Sequence, residues 1–115
     1  MAMTTVIVTC CLAALFAFSS SIKLLGVKRS LEIRDHLGIS PTVWRLIGAL
    51  ELAGVVGVLV GLWWPPLGIA AAVGLALLSV GAVVSHLRAS DSVVETAPAV
   101  LGIGLAVATA VLLTT

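Results

Sequence analysis

The chain has 115 residues, of which 61% are apolar and 10% are charged, and its net charge is +1. A soluble domain of this size keeps a large share of its area exposed, so a mean hydropathy of +1.29 indicates a membrane protein. The same composition excludes a disordered chain, and the low charge without a basic cluster argues against nucleic acid as a partner.

The first predicted element is a membrane helix over residues 4–25. No basic residue precedes it and no convincing cleavage site lies near its end, so we interpret it as a retained span rather than a signal peptide. It contains both cysteines, Cys10 and Cys11. Neighbouring helical positions point about 100° apart, so these thiols cannot chelate one metal ion, and we interpret them as small apolar fillers.

Residues 26–40 form a polar connection that permits two interpretations. One is a short interfacial helix over residues 31–37, capped by Ser30 and ended by Gly38. The other is an ordinary charged loop. In either case His36 is expected to be solvated.

The second span is predicted over residues 41–64, with Ser40 as its N-cap and Pro41 at its first position. Twenty helical steps cover roughly 30 Å, the thickness of the hydrocarbon core. Indole rings and nearby basic residues favour the headgroup boundary. Four residues at the two ends of this span are therefore expected to contact headgroups: Trp44, Arg45, Trp63 and Trp64.

A single acidic residue, Glu51, lies within this span, about 10 Å along the axis from Trp44. An ionised carboxylate facing lipid there costs several kcal/mol, so Glu51 is expected to face protein or to be neutralised. We favour an ion pair with Lys23, at the end of the first span, which would fix the register of the two helices. The alternative is a ligand-binding or proton-relay role for Glu51.

Two further spans are predicted over residues 67–86 and 97–113, after a tight turn at two prolines. His86, at the end of the third span, has two interpretations. It is an interfacial histidine bonded to a loop carbonyl or a headgroup, or it completes a polar cluster with Lys23 and Glu51 that binds a quinone carbonyl or an anionic headgroup. The sequence has no metal-ligand spacing, phosphate loop or nucleophile–base pattern, so neither a catalytic nor a metal site is expected.

These spans predict an all-α protein, a four-helix up-down-up-down transmembrane bundle that forms a single domain over residues 1–115. All six lysines and arginines fall near the loops after the first and third spans. The positive-inside rule then places the loops 26–40 and 87–96 in the cytoplasm and both termini outside the plasma membrane.

Small residues are expected to govern the helix packing. The second and third spans carry them at helical spacing, which favours close backbone approach and a tight bundle without a wide aqueous pore. The residues concerned are Gly54, Gly57, Gly61, Gly74 and Gly81.

Three short motifs resemble those of DoxX-like membrane proteins, in the same order and over essentially the whole chain. Residues 19–26 resemble the Ser-Gly-x-x-Lys signature that closes the family's first helix, with Ser20 in place of glycine. Residues 48–54 are similar to its Gly-x-x-Glu-x-x-Gly segment, and residues 86–91 to its His-x-Arg-x-x-Asp ending. By this resemblance, the characteristic polar positions of the family are Lys23, Glu51 and His86.

The resemblance also implies a range of functions. The founding members of the family are small subunits of thiosulfate:quinone oxidoreductases, and others are associated with redox complexes. We therefore expect a non-catalytic accessory subunit, without a cofactor of its own, that docks on a larger membrane complex such as a lipid or solute transporter or a redox complex. One alternative is a quinone- or lipid-binding subunit of a membrane oxidoreductase, and another is an autonomous small-molecule transporter.

Overall fold

The computed structural model describes residues 2–115, which fold into helices and contain no strand. Four of the five helices are long and apolar enough to cross a membrane, which confirms the predicted all-α architecture with four spans. The helices are α1 (Met3–Leu24), α2 (Lys28–Leu37), α3 (Pro41–Val60), α4 (Pro65–Arg88) and α5 (Val93–Leu112).

The four long helices form a ring in which α1 packs against α3 and α5, while α4 packs against the same two helices. The ring encloses a core of aliphatic and aromatic side chains contributed by all four. Both polar connections lie at one end of the ring, which we call the charged end (residues 23–45 and 86–95). The core residues are Leu12, Ala13, Phe16, Val55, Val58, Ala72, Leu75 and Ala106.

The turn between α3 and α4 differs from the predicted one at both boundaries. Helix α3 ends at Val60 rather than at residue 64, and α4 begins at Pro65 rather than at residue 67. The two prolines therefore open α4 instead of forming the turn. This is favourable because the first helical positions need no backbone N–H donor.

Helix α5 begins at Val93, four residues before the predicted start at 97. Its first turn is closed by a capping box, in which Ser92 Oγ accepts from the Glu95 amide at 3.2 Å and the Glu95 carboxylate accepts from the Ser92 amide at 3.2 Å. Pro98 therefore lies inside the helix rather than in its first turn. The predicted loop 87–96 is correspondingly shortened to residues 89–92.

Helix α2 begins at Lys28, with Val27 at its N-cap, so the prediction that Ser30 caps it is wrong. Ser30 lies within the helix and is fully buried. Gly38 ends the helix in the left-handed conformation, with φ of 71°. Ser40 then caps α3, because its hydroxyl accepts a hydrogen bond from the amide of Val43 at 3.2 Å.

The glycines of α3 allow close contact with α4. A Cβ atom on Gly61 would lie 2.3 Å from the Cα atom of Gly68, and one on Gly57 would lie 2.6 Å from the Ala71 side chain. On α4, by contrast, a Cβ atom on Gly74 or Gly81 would meet no atom of residues 2–115 within 4 Å. The prediction that the α4 glycines pack inside the bundle is therefore wrong, while the α3 glycines do so.

Candidate functional site

The buried face of α3 positions the acidic residue toward α1. Trp44, Gly48 and Glu51 follow one another at helical spacings of four and three, and all three are buried. A Cβ atom on Gly48 would lie only 3.0 Å from the Cβ atom of Lys23. The missing side chain thus lets α1 approach α3 one turn before Glu51.

Lys23 and Glu51 form an ion pair at this approach, with Nζ 2.8 Å from Oε1. The Glu51 and Lys23 side chains are only 4% and 13% exposed. Glu51 Oε1 has no hydrogen-bond partner among residues 2–115, so this contact is an ion pair without a hydrogen bond. The ammonium instead donates to Ser19 Oγ at 2.6 Å and lies 4.8 Å from the centroid of the Trp44 ring. The cation thus has an anion, a hydroxyl and an aromatic face as neighbours.

Trp44 belongs to this cluster rather than to the headgroup boundary. It is buried, and its Nε1 donates to Ser30 Oγ at 3.0 Å. The predicted headgroup contact of Trp44 is therefore wrong, because the ring is buried beside Lys23 of α1 and Ser30 of α2. A continuous set of polar contacts consequently links α1, α3 and α2, from Glu51 through Lys23 and Trp44 to Ser30.

His86 does not join Lys23 and Glu51, so the predicted three-residue cluster does not form. His86 Nδ1 lies 2.6 Å from Asp91 Oδ2, and His36 Nε2 lies 2.5 Å from Asp91 Oδ1. The Asp91 side chain is only 4% exposed between them. His36 is 53% exposed, as expected for a solvated residue, and it also bridges α2 to the α4–α5 connection.

The two histidines determine the electrostatics of Asp91. Hydrogen bonds from His36 and then from His86 hold the pKa of the Asp91 carboxyl below its usual range. In turn, the hydrogen bond to Asp91 raises the pKa of the His36 imidazole above its usual value. Each contact therefore favours the charged form of its partner.

Asp91 is a site residue that the sequence reasoning did not single out, although the signal was present. It is the last residue of the His-x-Arg-x-x-Asp motif at residues 86–91. Ser90 adopts a left-handed φ of 57°, and the Asp91 amide donates to the His86 carbonyl at 3.0 Å. This turn returns the carboxylate to the histidine that starts the motif.

The other residues expected at headgroups are exposed, as such a role requires. Arg45 is exposed at the charged end, and the side chains of Trp63 and Trp64 project from the α3–α4 turn at the opposite end. Contact of these three residues with headgroups stays a prediction.

A comparison with protein-family models identifies the family of this chain. The model of the DoxX-like family matches residues 7–111, which is nearly the whole chain. The chain belongs to the DoxX-like family. This confirms the resemblance seen in the three motifs, and together with the four apolar helices it indicates a multi-pass membrane protein. No curated protein and no solved structure shows significant similarity to the chain.

Two large grooves run along the outer surface of this DoxX-like bundle. One, of about 540 Å³, lies between α4 and α5; its walls are apolar, and Asp91 lies at its charged end. The other, of about 480 Å³, lies between α3 and α4 beside Gly57 and Gly74. Neither groove is lined by Lys23 or Glu51.

Proposed function

We propose that this DoxX-like chain is an accessory subunit that docks on a larger membrane complex, such as a lipid or solute transporter or a redox complex. The proposal rests on the exposed face of α4 around Gly74 and Gly81, which lie a heptad apart. A Cβ atom at either position would contact no other part of residues 2–115 within 4 Å. Glycine in a helix costs about 0.8–1 kcal/mol relative to alanine. A closely packed partner helix would offset that cost.

The polar residues within the bundle also support a non-catalytic role. Lys23 and Glu51 neutralise each other at 2.8 Å, and Trp44 and Ser19 complete the surroundings of the ammonium. The pair thus connects two helices of the bundle. Its carboxylate lies against its own lysine, away from both outer grooves.

Co-purification tests the proposal. The tagged chain would be extracted in a mild detergent, and its companions identified by mass spectrometry. We expect the double variant Gly74→Leu/Gly81→Leu to keep the helical bundle and to lose those companions, because the new side chains block close approach. Gly104→Leu, the same change at another open glycine on α5, is the matched control and should retain them.

Two results would contradict the accessory role. One is a chain that always migrates alone after gentle extraction. The other is a double variant that retains the same companions as the unchanged chain. Circular dichroism and thermal unfolding of each variant would establish that the bundle is intact.

A second candidate, a lipid- or quinone-binding subunit, is favoured by the groove between α4 and α5. Its apolar walls suit an acyl or isoprenoid chain, and the Asp91 carboxylate at one end can accept a hydrogen bond from a lipid head or from a quinol. Val100→Trp would fill this groove, while Val107→Trp alters a similarly exposed position on the same helix that does not line it. Only the first variant should reduce the lipid or quinone that mass spectrometry detects in the purified protein, and equal retention would exclude this site.

A further inference from the structure

The charged end gathers metal-ligating side chains from three parts of the chain. The sequence contains two histidines, 50 positions apart, and both contact the carboxylate of Asp91. Glu95 joins them from the first turn of α5. One ligand atom from each of His36, Asp91 and Glu95 lies within 4.8 Å of the others.

From this arrangement we propose that His36, Asp91 and Glu95 bind a first-row divalent transition-metal ion, with His86 as a positioning residue behind Asp91. One imidazole nitrogen with two carboxylate oxygens is a donor set suited to zinc, cobalt or manganese. Magnesium and calcium favour ligand sets made of oxygen alone. Three protein ligands leave a further position for water.

Two of the three proposed ligands are oriented by hydrogen bonds. His86 Nδ1 contacts Asp91 Oδ2, so Oδ1 is the oxygen directed toward His36. Such a second contact orients a ligating carboxylate. Glu95 Oε1 accepts from the amide and hydroxyl of Ser92, so Oε2 is the oxygen left to coordinate the ion.

The remaining ligand can adjust to the ion. Bonds of about 2.0–2.1 Å in a tetrahedral site separate neighbouring ligand atoms by roughly 3.3 Å. The contact between His36 Nε2 and Asp91 Oδ1, at 2.5 Å, must therefore open by about 0.8 Å to admit a metal ion. The His36 side chain is 53% exposed, so it can make this movement without disturbing the core.

The experiment titrates the purified chain, carrying a tag without histidines, with Co²⁺ by visible absorption and with Zn²⁺ by calorimetry. We expect one ion to bind per chain and to raise the melting temperature. His36→Gln and Asp91→Asn should each weaken binding at least tenfold, and His86→Gln about 10- to 100-fold. Asp35→Asn removes an exposed carboxylate next to His36, outside the cluster, and is the matched control that should bind as the unchanged chain does.

Three results would overturn the proposal. The first is the absence of saturable metal binding. If His36→Gln then lowers the melting temperature while added metal has no effect on it, the cluster is a hydrogen-bonded contact only. The second is metal binding by His36→Gln that is as tight as binding by the unchanged chain. This result would exclude His36 as a ligand even if Asp91→Asn fails to fold. The third is a cobalt–thiolate band, since Cys10 lies fourteen residues before the end of α1, about 21 Å away along the helix.

Discussion

Lys23 and Glu51 illustrate how single residues determine the behaviour of this bundle. Both charges are removed from water, and each is offset chiefly by the other at 2.8 Å. A buried pair contributes little net stability, because desolvation cancels much of the attraction. Loss of one partner, however, leaves a charge within an apolar span.

Substitutions that remove the charges of Lys23 and Glu51 should have strongly coupled effects on the free energy of unfolding. We expect Lys23→Met and Glu51→Leu each to lower the free energy of unfolding by about 3 kcal/mol, because each leaves its partner uncompensated. The double variant should be more stable than either single one and close to the unchanged chain. Thermal unfolding in detergent measures all four proteins, and additive losses would show that the two residues act independently.

Trp44 provides a second test at this scale. Trp44→Phe keeps an aromatic face beside Lys23 but removes the hydrogen bond to Ser30, whose hydroxyl is fully buried. We expect a loss of about 1–2 kcal/mol and faster hydrogen exchange in α2. Trp63→Phe is the control, since that side chain is 83% exposed and should change neither quantity. Equal exchange in both variants would mean that the Ser30 contact does not hold α2.

Some residue contacts follow from sequence and others do not. A lone carboxylate in an apolar span requires a partner at a similar depth, and Lys23 is the basic residue at the end of the preceding span. The contact between His36 and Asp91 joins positions 55 residues apart. It depends on how α2 folds back over the bundle, which no local pattern specifies.

The α3–α4 hairpin shows how whole elements are brought together. Gly61 and Gly68 face each other next to the turn, where the two backbones are so close that either Cβ atom would overlap the opposite chain. Gly57 and Ala71 continue this contact one turn further. Close approach, rather than interlocking of large side chains, therefore sets the separation of α3 and α4 near the turn.

Two alanine substitutions on α4 should have opposite effects. Gly68→Ala places a Cβ atom 2.7 Å from the Gly61 Cα atom and should cost about 1–3 kcal/mol of unfolding free energy. Gly74→Ala introduces the same methyl group where no other part of residues 2–115 lies within 4 Å. It should be neutral or stabilise the helix by up to about 1 kcal/mol. If both variants have the same free energy of unfolding, the backbone contact at Gly68 does not determine how closely α3 and α4 pack.

The boundaries of elements were less predictable than their existence. Long apolar runs specify four spans, because a polar residue in lipid is costly over the whole 20-residue length. The start of α5 is set instead by the capping box between Ser92 and Glu95. The Ser-x-x-Glu signature was readable, but Pro98 favoured a later start because proline usually occupies a first turn.

At the scale of the whole molecule, the basic residues lie at one end of the bundle. The contact of His36 with Asp91 shows that the connection after α1 and the one after α4 lie at the same end of the ring. All six lysines and arginines lie in or beside these connections. By the positive-inside rule, the charged end is expected to face the cytoplasm.

Cysteine labelling checks this orientation. In a chain carrying Cys10→Ser and Cys11→Ser, a membrane-impermeant maleimide should label Trp63→Cys on intact cells, since the positive-inside rule predicts that this turn faces outside. Lys28→Cys should react only after the membrane is opened. Both positions are exposed in the folded chain, so a difference in labelling does not come from burial within the fold. Labelling of Lys28→Cys on intact cells would show that the orientation is opposite to the predicted one.

Helix α2 is attached to the bundle at two separate points. Near its start Ser30 is bonded to Trp44 on α3, and near its end His36 is bonded to Asp91 beyond α4. A rigid rod fastened to two bodies keeps them at a constant spacing. Rocking of α3 relative to the α4–α5 pair would stretch one of these two contacts, so this ten-residue helix restrains that motion.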